Sequence, residues 1–424
     1  MRHSRREFLK AGSASFALAA LGACATPPVD GGPRVVVIGG GYGGATAAKY
    51  IRMWSDGKIA VTLVERDGEF VSCPLSNLVI GGSKTLADIT VPYGGLDRWG
   101  VHRLRDEATA VDPAARTVKL AGGATLSYDR LVLSPGVDYL WEQIPSLNNA
   151  AAQQKVLHAW KAGPQTVALR RQLEAMRDGG VFVIHIPKAP YRCPPGPYER
   201  ACQVAHYFST QKKKSKVIIL DANEDVQSKK ALFVTAWNGR YKDYIEYRPN
   251  SSLVDVDVET LTAKLDFESV KADVLNVIPP QHAGAVARQL GMANANARFC
   301  QVDFLSYEST AQPRIHILGD AIQPASLMPK SGHMANQHAK VCASAVVALL
   351  TGQSVNPSPV IANTCYSYID DKEVVHVASV HAYDPEKKTM TVVAGSGGLS
   401  SAPSAQEAIY AEAWARNIWA DMLT

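Results

Sequence analysis

Val35 to Ile38 is an unbroken run of apolar β-formers, the pattern of a strand buried on both faces. It stops at Gly39-Gly-Gly41-Tyr-Gly-Gly44, and Ala45, Thr46, Ala47 and Ala48 then open a helix with small side chains. A second apolar run, Ile59 to Val64, ends in Glu65. Similar runs recur at Tyr128–Leu133 before Ser134-Pro135-Gly136, at Gly180–Ile186, at Lys216–Asp221 and at Ala272–Ile278. Another, Ile315–Leu318, ends in Gly319-Asp320-Ala321, and alanine-rich helical spacing follows from His333 to Leu350. Buried strands alternating with helices predict an α/β chain with parallel sheets.

The first of these turns has a chemistry. In G-x-G-x-x-G, here Gly39, Gly41 and Gly44, the glycines let the backbone turn tightly and approach phosphates. The following helix offers unpaired N–H groups and the positive end of its dipole to a pyrophosphate. Glu65, about 20 residues on, is placed to accept hydrogen bonds from a ribose. Strand, glycines, helix, strand and acid in that order identify a dinucleotide site rather than a plain glycine-rich loop.

The chain start adds a location. Ser4-Arg5-Arg6-Glu7-Phe8-Leu9-Lys10 has the form of a twin-arginine export signal, and Ala11 to Ala23 is too short to span a bilayer. Residues 1–25 are therefore read as a signal peptide and the mature protein as periplasmic. Cleavage after Ala23-Cys24-Ala25 is preferred over lipidation of Cys24. The signal holds +3 of the formal charge of +5, so the remainder gives no reason to expect nucleic acid. The basic run Lys212–Lys216 reads as a solvated loop. With 46% hydrophobic and 20% charged residues, the chain has the composition of a globular enzyme. Its seven cysteines include no C-x-x-C-H for a c-type haem and no paired C-x-x-C for zinc, so no metal is assigned.

Ser134-Pro135-Gly136 resembles the turn at which flavin disulfide reductases cross their dinucleotide, and Gly319-Asp320 resembles their second FAD motif. In that superfamily a second lobe binds NAD(P)H. Here its first strand, Gly180–Ile186, is followed by Pro187-Lys-Ala-Pro-Tyr-Arg192, with no glycine fingerprint and with prolines where amides would meet phosphates. The nicotinamide site is read as lost. Met328-Pro-Lys330-Ser331-Gly332 would aim a helix N-terminus at the flavin, with Lys330 assisting.

Three sulfurs and one acid remain. Cys73 lies near the carboxyl ends of the first strands, equally suited to chemistry and to packing. Cys193, in Arg192-Cys-Pro-Pro-Gly-Pro-Tyr-Glu199-Arg, should sit at or just before a helix N-terminus, which favours a nucleophilic thiolate. Glu199 either reaches back toward the same cavity or is an exposed helix glutamate. His316, inside a strand, and Cys342, mid-helix, read as core. The terminal helix, capped by Ser404 and Glu407, carries Tyr410, Trp414 and Trp419, read as packing or interface aromatics.

The stretches CPLSNLVIGG from Cys73, HAWKAG at 158–163, RCPPGPYERA, KSKVIILD, GDA with MPKSG, and NTCYS resemble the flavoprotein subunit of flavocytochrome c sulfide dehydrogenase. Sulfide:quinone reductases are that family's relatives. The resemblance implies two Rossmann-like, glutathione-reductase-type three-layer domains and a C-terminal α+β interface domain. The expected extents are 31–150 with 265–358 for FAD, 151–264 for the second lobe, and 359–424 for the flavin-covering module. It implies FAD attached through Cys73 as a thioether, a redox disulfide between Cys193 and Cys365, and Glu199 as an active-site carboxylate. Proline after Cys73 and a rival partner at Cys202 are the two departures. The expected reaction is oxidation of sulfide to zero-valent sulfur or polysulfide, with electrons passing to a c-type cytochrome subunit that alone carries haem. Transfer to a quinone and a non-catalytic sulfur carrier or regulator are the alternatives.

Overall fold

Strand β1 (Arg34–Ile38) runs through a seven-stranded sheet with only Arg34 exposed, as its apolar run requires. In this computed structural model, which describes residues 31–424, its neighbours are β2 (Ala60–Glu65) and β4 (Arg130–Leu133). Beyond them lie β3 (His102–Arg105) on one side and β9 (Ile315–Ile317) on the other, all parallel. Two short antiparallel strands, Val302–Asp303 and Glu308–Ser309, complete the edge. The expected signal at residues 1–25, with Cys24, lies outside the described residues.

Three residues after β1, helix α1 (Tyr42–Trp54) begins. A Cβ on Gly44 would lie 1.8 Å from the Gly39 carbonyl oxygen, so no other residue fits this turn. Helix α4 (Gly332–Thr351) packs on α1, and Gly332 makes the approach possible: a Cβ there would sit 2.9 Å from the Tyr42 ring.

The second sheet is four-stranded and wholly parallel, in the order β7 (Ile245–Arg248), β6 (Lys216–Asp221), β5 (Val181–Ile186), β8 (Val274–Val277). Helix α2 (Gly196–Gln211) and helix α3 (Lys230–Asn238) accompany it. Because β8 pairs with β5, the chain is still in the second sheet at residue 277, later than the expected return at 265. A three-stranded antiparallel leaf, Leu253 to Lys271, precedes β8. In the lysine run Lys213, Lys214 and Lys216 are exposed as expected, while Lys212, at the end of α2, is half-buried and its ammonium reaches the carbonyls of Glu174 and Met176.

The last unit is an antiparallel sheet around β10 (Val360–Tyr368) and β11 (Val374–Asp384), with helix α5 (Ala405–Leu423). Ser404 caps α5 by accepting from Glu407 N at 3.2 Å. Asp421 then ties α5 to the first lobe, accepting from Tyr50 Oη at 2.5 Å and Asn336 Nδ2 at 2.7 Å. The fold class is the expected one: two Rossmann-like units and a C-terminal α+β unit. Among the described residues no helix is long and apolar enough to cross a membrane.

Candidate active site

A cavity of about 300 Å³ opens at the carboxyl ends of the first sheet, where all three units meet. Its floor is the glycine turn. Gly39, at φ +95°, and Gly44 shape the turn, while Gly41 faces open space. No side chain caps α1, so its first N–H groups point at the cavity unsatisfied. Glu65 lines the wall and accepts from Gly40 N at 2.5 Å and Asp67 N at 2.9 Å. Ser134 and Gly136 are in the wall, and Pro135 lies behind it against Gly284. Asp320 also lines the cavity, and its Oδ1 is buried with no partner. An uncapped helix, an open glycine and an orphaned carboxylate oxygen are what a diphosphate and a polyol chain would satisfy. The residues present fit FAD.

Helix α4 starts at this wall, with Ser331 as its N-cap, accepting from Met334 N at 3.0 Å. Lys330 also lines the cavity. Its ammonium donates to the carbonyls of Asp320, at 2.8 Å, and Ile322, and lies 3.6 Å from the centre of the Phe299 ring. Burial lowers its pKa to about 7. Lys330 thus braces the Gly319-Asp320 turn.

Cys73 lies in the cavity wall, where its Sγ accepts from Arg192 Nη2 at 3.0 Å and Ala162 N at 3.5 Å. On the opposite side Cys193 sits three residues before α2, in a left-handed conformation at φ +55°. Its N–H donates to the Lys330 carbonyl at 2.8 Å. A Cβ on Gly196 would lie 2.9 Å from the Cys193 sulfur, so that glycine makes room for it. Cys365, from β10, is in hydrogen-bonding contact with Cys193. Cys193 thus stands just before α2, as expected. The hydrogen bond between the two thiols, with burial, raises the pKa of Cys193, and the same bond, helped by Lys229, lowers that of Cys365.

Glu199 is not the exposed glutamate of the alternative reading, being only 8% accessible. Its Oε2 accepts from Asn77 Nδ2 at 2.7 Å and its Oε1 from Tyr368 N at 2.8 Å. It therefore joins all three units, and burial raises its pKa. Cys202 is no rival to Cys365, because it is buried in the second core with Trp237 Nε1 on its sulfur at 3.3 Å. His316 and Cys342 are core residues as expected.

Sequence reading missed four contributors. Arg200, 1% accessible, donates to Asn77, Asn276 and the carbonyls of His158 and Ala159. Lys229, 4% accessible, donates to the Cys365 carbonyl and to Ser367 Oγ, each at 2.7 Å. Neither carries a local sequence signal of burial. Trp414 is in the cavity wall and Trp419 donates to Tyr42 Oη at 3.1 Å, so these aromatics enclose the site as well as packing α5.

Three family models match in succession. The pyridine nucleotide-disulphide oxidoreductase model covers residues 33–177. The sulfide dehydrogenase [flavocytochrome c] flavoprotein chain, central model covers 166–279, and the flavocytochrome c sulphide dehydrogenase, flavin-binding model covers 357–423. The sulfide dehydrogenase [flavocytochrome c] flavoprotein chain of Chlorobaculum thiosulfatiphilum is 59% identical over 49 residues, 12% of this chain and all of that sequence. The chain belongs to the flavocytochrome c sulfide dehydrogenase flavoprotein family. Membership implies FAD as the cofactor. The mitochondrial sulfide:quinone oxidoreductase of Dictyostelium discoideum is 21% identical over 302 residues, spanning 68% of this chain and 65% of that protein. The solved sulfide:quinone oxidoreductase of Aquifex aeolicus shares the fold, with a TM-score of 0.74 at 18% identity over 92% of this chain and 91% of that one.

Proposed function

We propose that this member of the family oxidises hydrosulfide to zero-valent sulfur or polysulfide through a Cys193–Cys365 redox disulfide. FAD is held as a thioether on Cys73, and a c-type cytochrome subunit, the sole carrier of haem, takes the electrons. The observation carrying this reading is the meeting of Cys193, Cys365 and buried Glu199 at the wall of the FAD-type cavity.

Hydrosulfide attack on the disulfide forms one S–S bond and breaks another, leaving a persulfide on one cysteine and a thiolate on the other. Glu199 stands in the same buried cluster to take the S–H proton. Arg200 and Asn77 hold that carboxylate's surroundings fixed, and Trp414, Trp160 and Tyr366 keep water from the sulfurs. When bound, FAD would supply a two-electron acceptor that returns electrons singly. Cys73, which lines the cavity, would carry the attachment. Export through the sequence at 4–10, with cleavage of residues 1–25 rather than lipidation at Cys24, would put the protein in the periplasm with its cytochrome.

Cys193→Ser should retain FAD yet lose sulfide-driven bleaching of the flavin, followed by absorbance; undiminished bleaching overturns the disulfide route. A wild-type flavin that sulfide does not bleach would favour a sulfur carrier or regulator. Faster turnover with a ubiquinone analogue than with cytochrome c would overturn the cytochrome assignment.

A further inference from the structure

Lys229 is a lysine without an anion of its own. Its ammonium is buried, and among the described residues no carboxylate lies within ion-pairing distance of it. Both of its recorded hydrogen bonds go to neutral acceptors, the Cys365 carbonyl and Ser367 Oγ, on the strand that carries the Cys365 sulfur. Lys229 itself is left-handed, at φ +55°, immediately before α3, a costly conformation for a residue with a Cβ. It lies outside the wall of the FAD cavity. The cation thus sits against the strand that carries the Cys365 sulfur, outside the cavity wall.

We propose that Lys229 is a positioning residue of the sulfur site, whose buried ammonium stabilises the Cys365 thiolate whenever the Cys193–Cys365 bond is open and so makes that bond easier to reduce. The inference rests on the redox-disulfide reading. The half-reaction is disulfide plus two electrons plus one proton, giving the Cys193 thiol and the Cys365 thiolate. Only the open form carries the negative charge, so only the open form gains from the cation. Other charged or titratable groups face the pair. They are Tyr191 and Arg192 beside Cys193, Glu199 and Arg200 on α2, His333 on α4 and Glu407 on α5. Of these, Glu199 opposes a thiolate, and Lys229 is the cation that acts on Cys365. Burial works against the charge on Lys229, while Cys365, Glu199 and Cys193 restore it.

The test uses the purified holoprotein. Cys365 alkylation by iodoacetamide is followed against pH by peptide mass, and the disulfide is equilibrated in dithiothreitol redox buffers. In the wild type Cys365 should alkylate with a midpoint below that of an ordinary thiol, about 8.5. Lys229→Gln keeps hydrogen-bond donors without the charge. It should lower the alkylation rate at pH 7 and the equilibrium constant for reduction about tenfold each, equivalent to one pH unit. Lys229→Arg should restore most of both. A wild-type midpoint at or above the ordinary value, or a Lys229→Gln profile matching the wild type, overturns the proposal. If peptide mapping finds no Cys193–Cys365 bond in the oxidised wild type, the disulfide reading falls, and the proposal with it. If the bond is present and Lys229→Gln is silent, only the role of Lys229 falls.

Discussion

Both parallel sheets begin with a buried apolar strand, and they diverge at the carboxyl edge. Three residues separate β1 from α1, and nine, four of them proline, separate β5 from α2. The acid at the end of the second strand is present in both. Glu65 borders an open cavity and is held by backbone N–H groups alone. Asp221, in the equivalent place after β6, is fully buried and accepts from Tyr198 Oη at 2.7 Å, Tyr247 Oη at 3.1 Å and Asn223. The second lobe kept its ribose-type acid and covered it with tyrosines. The same lobe delivers Cys193 and Glu199 to the first lobe's cavity and holds Lys229 outside its wall. At this edge side chains fill the space beside the acid, and the parallel sheet beneath is intact.

The comparison breaks most easily in the first lobe. Gly44→Val places side-chain atoms on the Gly39 carbonyl, and the purified variant should contain no flavin by absorbance. Retention of full flavin content would mean that the open lobe is not where the cofactor binds. Tyr198→Ala should come next. It removes a fully buried ring and one hydroxyl from Asp221, costing about 3–5 kcal/mol in denaturant unfolding, without enabling NADH to bleach the flavin. Bleaching by NADH in the variant or the wild type would show that the second lobe is still a nucleotide site. The smallest effect is expected from Glu199→Gln. Burial raises the folded pKa of Glu199 above its ordinary 4.5, so its stabilisation is complete below that pH and is lost as pH rises through the folded value. Thermal melts from pH 4.5 upward should show the wild type losing stability relative to Glu199→Gln. A constant difference would place the carboxylate in water.

Elements carrying local backbone constraints were legible from the chain alone. Gly39 and Gly44 declare a turn because no side chain fits, and the proline-rich stretch at 193–197 declares a helix start. Side-chain direction was not legible. Lys330 lines the cavity, but nothing adjacent in sequence told that its ammonium is held by the Phe299 ring and the Asp320 and Ile322 carbonyls. Cys193 stands before a helix as expected, but the thiol it meets lies 172 positions later on β10. Lys229-Lys230 reads as a surface pair, while α3 takes one lysine outward and the turn before it takes the other in. Such outcomes belong to tertiary packing, which adjacent residues do not encode.

The closure of α5 on the first lobe also sets a clock. The cavity wall combines Gly41 and Gly43 with Ala411 and Trp414, and Lys49 and Tyr50 grip Asp421 to hold the two ends of that wall together. A ribosome adding about 5–20 residues per second needs roughly 20–70 s to travel from the glycine turn to α5. Through that interval the turn stands beside an unfinished pocket. Cofactor capture is therefore a late event in the life of this chain, and β1, although made early, waits for α5 before it has a ligand to enclose.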